Sequence, residues 1–249
     1  HFAQDFTGIH DAAEDFSLAG VRPHVECDDC HNPHLANGNP SMGAPRVSGA
    51  NIGVSGIDAT GQQVRRAQNL YDICYKCHAD NFVIPARRIT RQIDQFNTRL
   101  EFDLANPSFH PVASTGVNLE VPSLLSPYTV RSVMACTDWP NNNQSLGPNG
   151  PHGSSFEFLL ERNYITLDFT YENPSTYALC YKCHNRQSIL GDQSFSEHNK
   201  HIVEKNTPCS VCHDPHGISS TQGNSFNNSH LINFDITVVR PDWQGRIQF

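Results

Sequence analysis

One five-residue pattern occurs four times in this chain and restricts its possible folds more than any other feature. Two cysteines are separated by two residues, and a histidine follows the second cysteine directly. The four copies read CDDCH (27–31), CYKCH (74–78), CYKCH (180–184) and CSVCH (209–213). Histidine is 14 of the 249 residues, so four such neighbours would arise by chance with a probability of roughly one in a hundred thousand. Each copy therefore has to serve a chemistry that uses both thiols and the imidazole.

Three other uses of paired cysteines compete for this pattern. Disulfide bonds could pair eight cysteines, but they leave the four adjacent histidines without a role. Zinc ribbons place two Cys-x-x-Cys pairs about 15–20 residues apart, whereas the pairs in this chain are more widely separated. A thioredoxin-type redox motif would occur once, on a strand–helix unit, and not four times. Covalent attachment of haem c uses every residue, because the thiols bond to the porphyrin vinyl groups and the histidine binds the iron.

The sequence therefore predicts four covalently attached haem c groups. The predicted thioether cysteines are Cys27, Cys30, Cys74, Cys77, Cys180, Cys183, Cys209 and Cys212. The predicted proximal iron ligands are His31, His78, His184 and His213. A short helical turn would bring both thiols of one motif to the two vinyl positions on the same porphyrin edge. The apolar residues before Cys74 and Cys180 favour such a turn.

Each iron also needs a second axial ligand, and ten histidines remain for this role. Two methionines could serve at most twice, so we expect bis-histidine ligation at all four irons. Local sequence favours six distal candidates, of which any one could instead be a surface histidine: His24, His34, His110, His152, His201 and His216. The remaining four rank lower: His1, His10, His198 and His230.

Spacing narrows the roles of some candidates. His34 and His216 follow a proximal histidine by three residues, which is too close for the same ring and suits a neighbouring haem. No histidine follows the two CYKCH copies so closely, and their upstream candidates are His34 and His152. If His34 instead serves another subunit, we expect His110 to ligate the first CYKCH haem.

Composition predicts a fold that relies on its cofactors. Only 37% of residues are hydrophobic, and 16 Gly and 16 Pro interrupt the whole length, so a large side-chain core is not expected. We expect a mostly irregular, loop-rich fold with short helices and a few short β-strands, wrapped around a chain of four c-type haems. Residues 1–249 are expected to form a single domain with a loose internal duplication, at roughly 1–105 and 106–249.

Three segments have the periodicity of regular structure. Alternating apolar residues predict strands at 164–172 and 232–240. Apolar residues near helical spacing predict a helix within 87–102. We expect the rest to be loops and short helical turns.

The ninth cysteine, Cys136, lies in the word ACTDWPNN. It precedes Cys180 by 44 residues, close to the 47 between Cys27 and Cys74. Cys136 is either an ordinary buried cysteine or the remnant of a lost haem motif whose histidine partner survives as His152. With four haems attached it has no cysteine partner within the chain and should be a free thiol.

Charge and hydropathy exclude some function classes. The net charge is −8 and no basic run occurs, so nucleic acid is not an expected partner. No apolar run has the length of a transmembrane helix. The chain begins at His1 with no signal-like segment, which leads us to expect a processed, mature, secreted form.

The short segments CHNPH, CHDPHG, HPV and PHGS resemble sequence motifs of the multihaem cytochromes c of metal-respiring bacteria and some archaea. The chain is most similar to extracellular tetrahaem cytochromes that polymerise into filaments (OmcE-type cytochrome nanowires). The resemblance implies extracellular electron transfer by a homopolymer with a continuous haem chain, passing electrons to redox proteins or extracellular acceptors. It also implies a ligand donated across the subunit boundary, from His34 or, as a second possibility, His10.

Two other functions share these motifs. A monomeric periplasmic tetrahaem shuttle would need the same haem sites and would dock transiently with its partners. A multihaem reductase would need an open iron position, but all four motifs end in histidine and distal histidines are in excess. We therefore expect an electron-transfer protein and not an enzyme.

Overall fold

The computed structural model describes residues 25–80, 88–144, 146–244 and 247. Within these ranges the α-helices are α1 (Leu70–His78), α2 (Thr98–Glu101), α3 (Arg186–Leu190) and α4 (Cys209–Cys212). Antiparallel pairs join β1 (Gly56–Ile57) to β2 (Gln63–Val64), and β3 (Ser108–Phe109) to β4 (Gly217–Ile218). Short 3₁₀-helices lie at Cys27–Asp29, Gly49–Asn51, Cys136–Asp138, Glu157–Leu159, Cys180–Lys182 and Ser229–Leu231, with a π-helical turn at Lys200–Glu204. The loop-rich architecture predicted from composition is confirmed.

Helix α1 contains the whole of the first CYKCH copy. Its start is fixed by Asp72, whose carboxylate accepts hydrogen bonds from the backbone N–H groups of Gln68 and Asn69, each at 2.9 Å. This satisfies donors that have no partner within the helix. The helix ends where Ala79 becomes extended, directly after His78. The helical turn predicted ahead of Cys74 is confirmed, while the second CYKCH copy forms only a 3₁₀ turn.

The side-chain core is small. One cluster packs α1 against β1, α2 and β3, and its buried members are Ile57, Tyr71, Tyr75, Ala79, Phe102, Phe109 and Val112. A second cluster consists of Val54, Ala67 and Ile73. Within the described residues, no helix is both long enough and apolar enough to cross a membrane.

The strand predicted at 164–172 is wrong. The chain turns at residues 168 and 169, where Phe169 adopts a left-handed φ of 60°. The alternating apolar residues Leu167, Phe169 and Tyr171 point to solvent, with exposed fractions of 65%, 84% and 79%. Apolar residues do alternate in this segment, but the burial of one face that usually accompanies such alternation is absent in the described structure.

The strand predicted at 232–240 is wrong, and the helix predicted within 87–102 forms only over Thr98–Glu101, for a shared reason. The two segments pair with each other: Gln92 N–H donates to the Phe234 carbonyl at 2.8 Å, and Ile236 N–H donates to Thr90 at 2.9 Å. These bonds form an isolated bridge and not a full strand. Helix forms only at α2, because the preceding backbone is committed to this long-range pairing.

One local unit occurs twice in the fold. The 3₁₀ turns Cys27–Asp29 and Cys136–Asp138 are each closed by their aspartate, which accepts a backbone hydrogen bond at 2.7 Å from the residue before the turn. Lys76 donates to the carbonyl of Asp29 at 2.6 Å, and Lys182 donates to the carbonyl of Asp138 at 2.8 Å. Both lysines belong to CYKCH copies. The repeated geometry supports the predicted internal duplication.

The second copy of this turn carries one thiol instead of two. Trp139 and Pro140 occupy the positions that correspond to Cys30 and His31 in the first copy. Cys136 is a free thiol in the structure. This correspondence favours the interpretation of Cys136 as the remnant of a lost attachment motif.

Candidate functional site

The β3–β4 pair brings two histidines together from distant parts of the sequence. One residue beyond the paired strands, His110 N–H donates to the carbonyl of His216 at 2.8 Å. The imidazole Nδ1 of His110 is bonded to the carbonyl of Pro215 at 2.5 Å. Gly217 permits this approach, because a Cβ there would clash with the carbonyl oxygen of Glu101 in α2. The two histidines therefore lie side by side on adjacent strands.

Two of the four CxxCH histidines lie next to a second imidazole, stacked in one pair and tilted in the other. The ring centroids of His31 and His152 are 5.8 Å apart and their planes differ by 10°. Those of His198 and His213 are 6.3 Å apart with planes at 44°. Two imidazoles that bind one metal ion have centroids about 6 Å apart, since each bond is about 2 Å and each ring adds roughly 1 Å. Both centroid distances are close to 6 Å.

The other two proximal histidines also have a histidine neighbour. Burial lowers the pKa of His78, and nearby His216 lowers it further. Burial lowers the pKa of His184 to about 4, and His110 contributes to this shift. His78 itself is exposed to solvent. Its pKa is lowered because many protein atoms lie around it, although they do not cover it on every side. Neutral imidazoles of this kind are the form that binds metals.

The structure thus brings a second histidine of the same chain next to His31 and His213, and electrostatic influence indicates one near His78 and one near His184. The pairs are His31 with His152, His78 with His216, His184 with His110, and His213 with His198. His110, His152 and His216 belong to the six candidates favoured by the sequence. His198 was ranked lower, and the ligand assignments stay predictions.

Hydrogen bonds orient six of these eight imidazoles through Nδ1. The bonds join His31 to Ala50 O (2.9 Å), His110 to Pro215 O (2.5 Å), His184 to Ser123 Oγ (3.0 Å), His198 to Ser194 Oγ (3.3 Å), His213 to His230 O (2.9 Å) and His216 to Glu101 Oε2 (2.8 Å). Carbonyl and carboxylate oxygens only accept, so four of these rings must donate from Nδ1, which leaves the lone pair on Nε2. Histidines that bind metals through Nε2 are oriented in this way by their second shell.

The remaining histidines fit this role less well. His24, like His1 and His10, lies outside the described residues. His34 is exposed, and so is His201, whose ring stacks on Phe195 at 6.5 Å. His230 uses both ring nitrogens on the protein, with Ser229 Oγ at 3.2 Å and the Glu120 carbonyl at 2.9 Å.

The structure brings His198, which the sequence ranked lower, next to His213. It lies three residues before His201 in the word EHNKH, and both precede the fourth motif. Proximity in sequence favoured His201, but the chain directs His198 towards His213 and His201 towards solvent. No local signal in the sequence separates the two.

The cysteines do not form a preorganised zinc site. All nine are free thiols, and burial raises the pKa of Cys30 to about 11 and that of Cys77 to about 12. Zinc requires thiolates. In the described part of the chain, the one group of three close metal-binding side chains contains no cysteine and consists of Glu101, Asp214 and His216.

Two pairs of thiols approach each other across different motifs. A hydrogen bond between Cys180 and Cys209 lowers the pKa of Cys180 and raises that of Cys209. A similar contact with Cys136 raises the pKa of Cys74, with burial adding to the effect. Disulfides at these two places would leave five cysteines and all the paired histidines unexplained. The donor set of paired thiols and paired imidazoles fits haem c better.

Comparison with known proteins gives no family for this chain. No family model matches it, and no curated protein or solved structure is significantly similar to it.

Proposed function

We propose that the chain is an electron-transfer protein that carries four covalently attached, bis-histidine haem c groups. The observation that carries the proposal is the histidine pairing, in which each CxxCH histidine has a second imidazole of the same chain nearby. Bound haem c would supply reversible one-electron exchange. The polypeptide supplies two thiols for each attachment, two imidazoles for each iron, and Nδ1 hydrogen bonds that fix the orientation of most of these imidazoles.

The four proposed sites follow one another in chain order. Cys74 of the second site is near enough to Cys30 of the first to add to the raised pKa of Cys30, after burial. His216 of the second site and His110 of the third are neighbours across the β3–β4 pair. Cys180 and Cys209 link the third site to the fourth. This succession supports a continuous row of sites suited to electron transfer through the subunit.

An enzymatic role is a poorer fit to the same residues. A multihaem reductase needs one iron with an open position, whereas each CxxCH histidine of this chain has a second imidazole nearby to fill that position. We expect a reductive titration to take up four electrons per chain and the reduced protein to leave carbon monoxide unbound. A high-spin haem that binds carbon monoxide or nitrite in the native protein would favour the reductase instead.

We further propose that the subunit assembles into an extracellular or cell-surface filament. Support comes from the sequence resemblance and from large apolar side chains on the surface, including Leu167, Phe169 and Tyr171. Large exposed apolar patches often mark contact surfaces. A monomeric periplasmic shuttle is the alternative and would leave these three side chains in water.

The filament does not depend on a ligand from a neighbouring subunit. Each proximal histidine has an in-chain partner, so no iron in this proposal requires His34 of the next copy. His34 has an exposed ring and no ring hydrogen bond in the described part of the chain.

Replacing Phe169 with aspartate is expected to abolish filaments while leaving the haem content unchanged. Aspartate tolerates the left-handed backbone at this position but places a charge in the proposed contact. The matched control is Leu119→Asp, which adds a charge at another exposed apolar residue. Electron microscopy of the purified proteins gives the answer. Filaments in the F169D sample would refute this contact, and dispersed particles in the wild type would favour the shuttle.

A further inference from the structure

We infer that the carboxylate of Glu101, acting through His216, lowers the reduction potential of the haem attached at Cys74 and Cys77. The inference rests on the proposed function, because it concerns the second of the four proposed haem sites. Glu101 is a positioning and tuning residue in this account, since it contacts the imidazole and not the iron.

The contact is distinctive among the oriented imidazoles. His216 Nδ1 donates to Glu101 Oε2 at 2.8 Å, and only 6% of the Glu101 side chain is accessible. The acceptors of the other five bonded Nδ1 atoms are backbone carbonyls or serine hydroxyls, which carry no net charge. One proposed site therefore has an anionic second shell and the others with bonded Nδ1 atoms have neutral ones.

A second carboxylate nearby is already neutralised. Asp214 lies within 4.8 Å of the Glu101 and His216 donor atoms, but Arg91 pairs with it at 3.7 Å. Asn233 also donates to Asp214, at 3.2 Å. For Glu101, the single ion-pair partner in the described residues is His216 itself. The charge of Glu101 is therefore directed at the imidazole.

The surrounding backbone holds Glu101 in place. Asn106 Nδ2 donates to the Glu101 carbonyl at 2.8 Å, and Phe102 packs against the His216 ring at a centroid distance of 5.4 Å. Gly217, which has no Cβ, lets α2 lie directly against β4. The hydrogen bond is thus a fixed feature of the β3–β4 region.

Two physical effects act in the same direction. A carboxylate that accepts the Nδ1 proton makes the imidazole a more basic ligand, which favours the more positive oxidised iron. The negative charge of the buried Glu101 also stabilises the oxidised form by direct attraction, which solvent at the half-exposed His216 screens in part. Addition of one electron to the iron is therefore opposed, and the potential falls.

The test is Glu101→Gln in the haem-loaded protein, measured by spectroelectrochemical titration. Glutamine keeps the size and an acceptor oxygen but removes the charge. We expect one of the four components to shift its oxidised-to-reduced ratio by about tenfold at a given potential, equal to about 59 mV upward for one electron. Glu101→Asp keeps the charge, so the potential of the affected component should stay close to the low wild-type value. It provides the comparison if the glutamine variant is unstable.

The control is Glu157→Gln, which removes an exposed carboxylate paired with Arg88 and should shift no component. Four unchanged potentials in E101Q, with four haems attached, would overturn this inference and leave the proposed function standing. Absence of covalent haem from the wild type would overturn the proposed function itself. Haem content measured on the same samples separates the two failures.

Discussion

Replacing His198 with alanine is expected to leave one of the four haem irons without its distal ligand, whereas His201→Ala should leave all four unchanged. The ring of His198 lies 6.3 Å from that of His213, and Ser194 holds its Nδ1. The ring of His201 is exposed and stacks on Phe195. The two substitutions remove the same side chain three residues apart, so each controls for the other.

Absorption and electron paramagnetic resonance spectra would detect the change. In H198A, about one quarter of the haem should become high-spin and bind carbon monoxide, because an imidazole is lost from one bis-histidine site. The double variant H198A/H201A shows whether His201 takes over when His198 is absent. A low-spin H198A protein together with a high-spin H201A protein would contradict the pairing with His213.

Replacing Arg91 with methionine is expected to reduce the free energy of unfolding by about 3–5 kcal/mol, as is typical when one partner of a buried ion pair is removed. The buried guanidinium donates to the carbonyls of Ser210 at 2.5 Å, Asn233 at 2.7 Å and His213 at 2.9 Å. It also pairs with Asp214 at 3.7 Å. Methionine fills part of the volume but leaves these acceptors without a donor.

Arg88→Met provides the matched control for this measurement. Arg88 pairs with Glu157 on the surface, where both side chains are more than half exposed, and such pairs contribute about 0–1 kcal/mol. Denaturant unfolding of both haem-loaded variants, followed by absorbance, compares the two. Equal losses for R91M and R88M would show that Arg91 does not organise the fourth attachment motif.

The four CxxCH motifs could be recognised from sequence because their residues are local, and haem attachment at them stays a proposal. Five consecutive residues contain both thiols and the proximal imidazole, and the capping residue Asp72 specifies the helix that carries one copy. The distal partners could not be predicted in the same way. His110 and His216 are brought together by the pairing of β3 with β4, which joins segments more than a hundred residues apart.

The wrong predictions have comparable physical causes. Alternation at 164–172 was taken as a sign of a half-buried strand, but Phe169 turns the chain and leaves its apolar side chains exposed. The helical spacing in 87–102 was overridden because Arg91 is needed in the middle of the fourth motif. Long-range hydrogen bonds outweighed local propensity in that segment.

The predicted duplication stays a prediction, and the contacts that are consistent with it are visible only in the structure. Sequence spacing around Cys136 hinted at a lost motif, but similar spacing could arise by chance. The equivalent bonds from Lys76 to Asp29 and from Lys182 to Asp138 involve residues 47 and 44 positions apart. Such a pair of contacts cannot be recognised without coordinates.

Intact mass spectrometry of the denatured, reduced protein after thiol alkylation tests the central claim most directly. Thioether bonds survive these conditions, whereas zinc and disulfide bonds do not. The account predicts a chain that keeps four haem masses and has one alkylated cysteine, Cys136. A chain without haem and with all nine cysteines alkylated would contradict it.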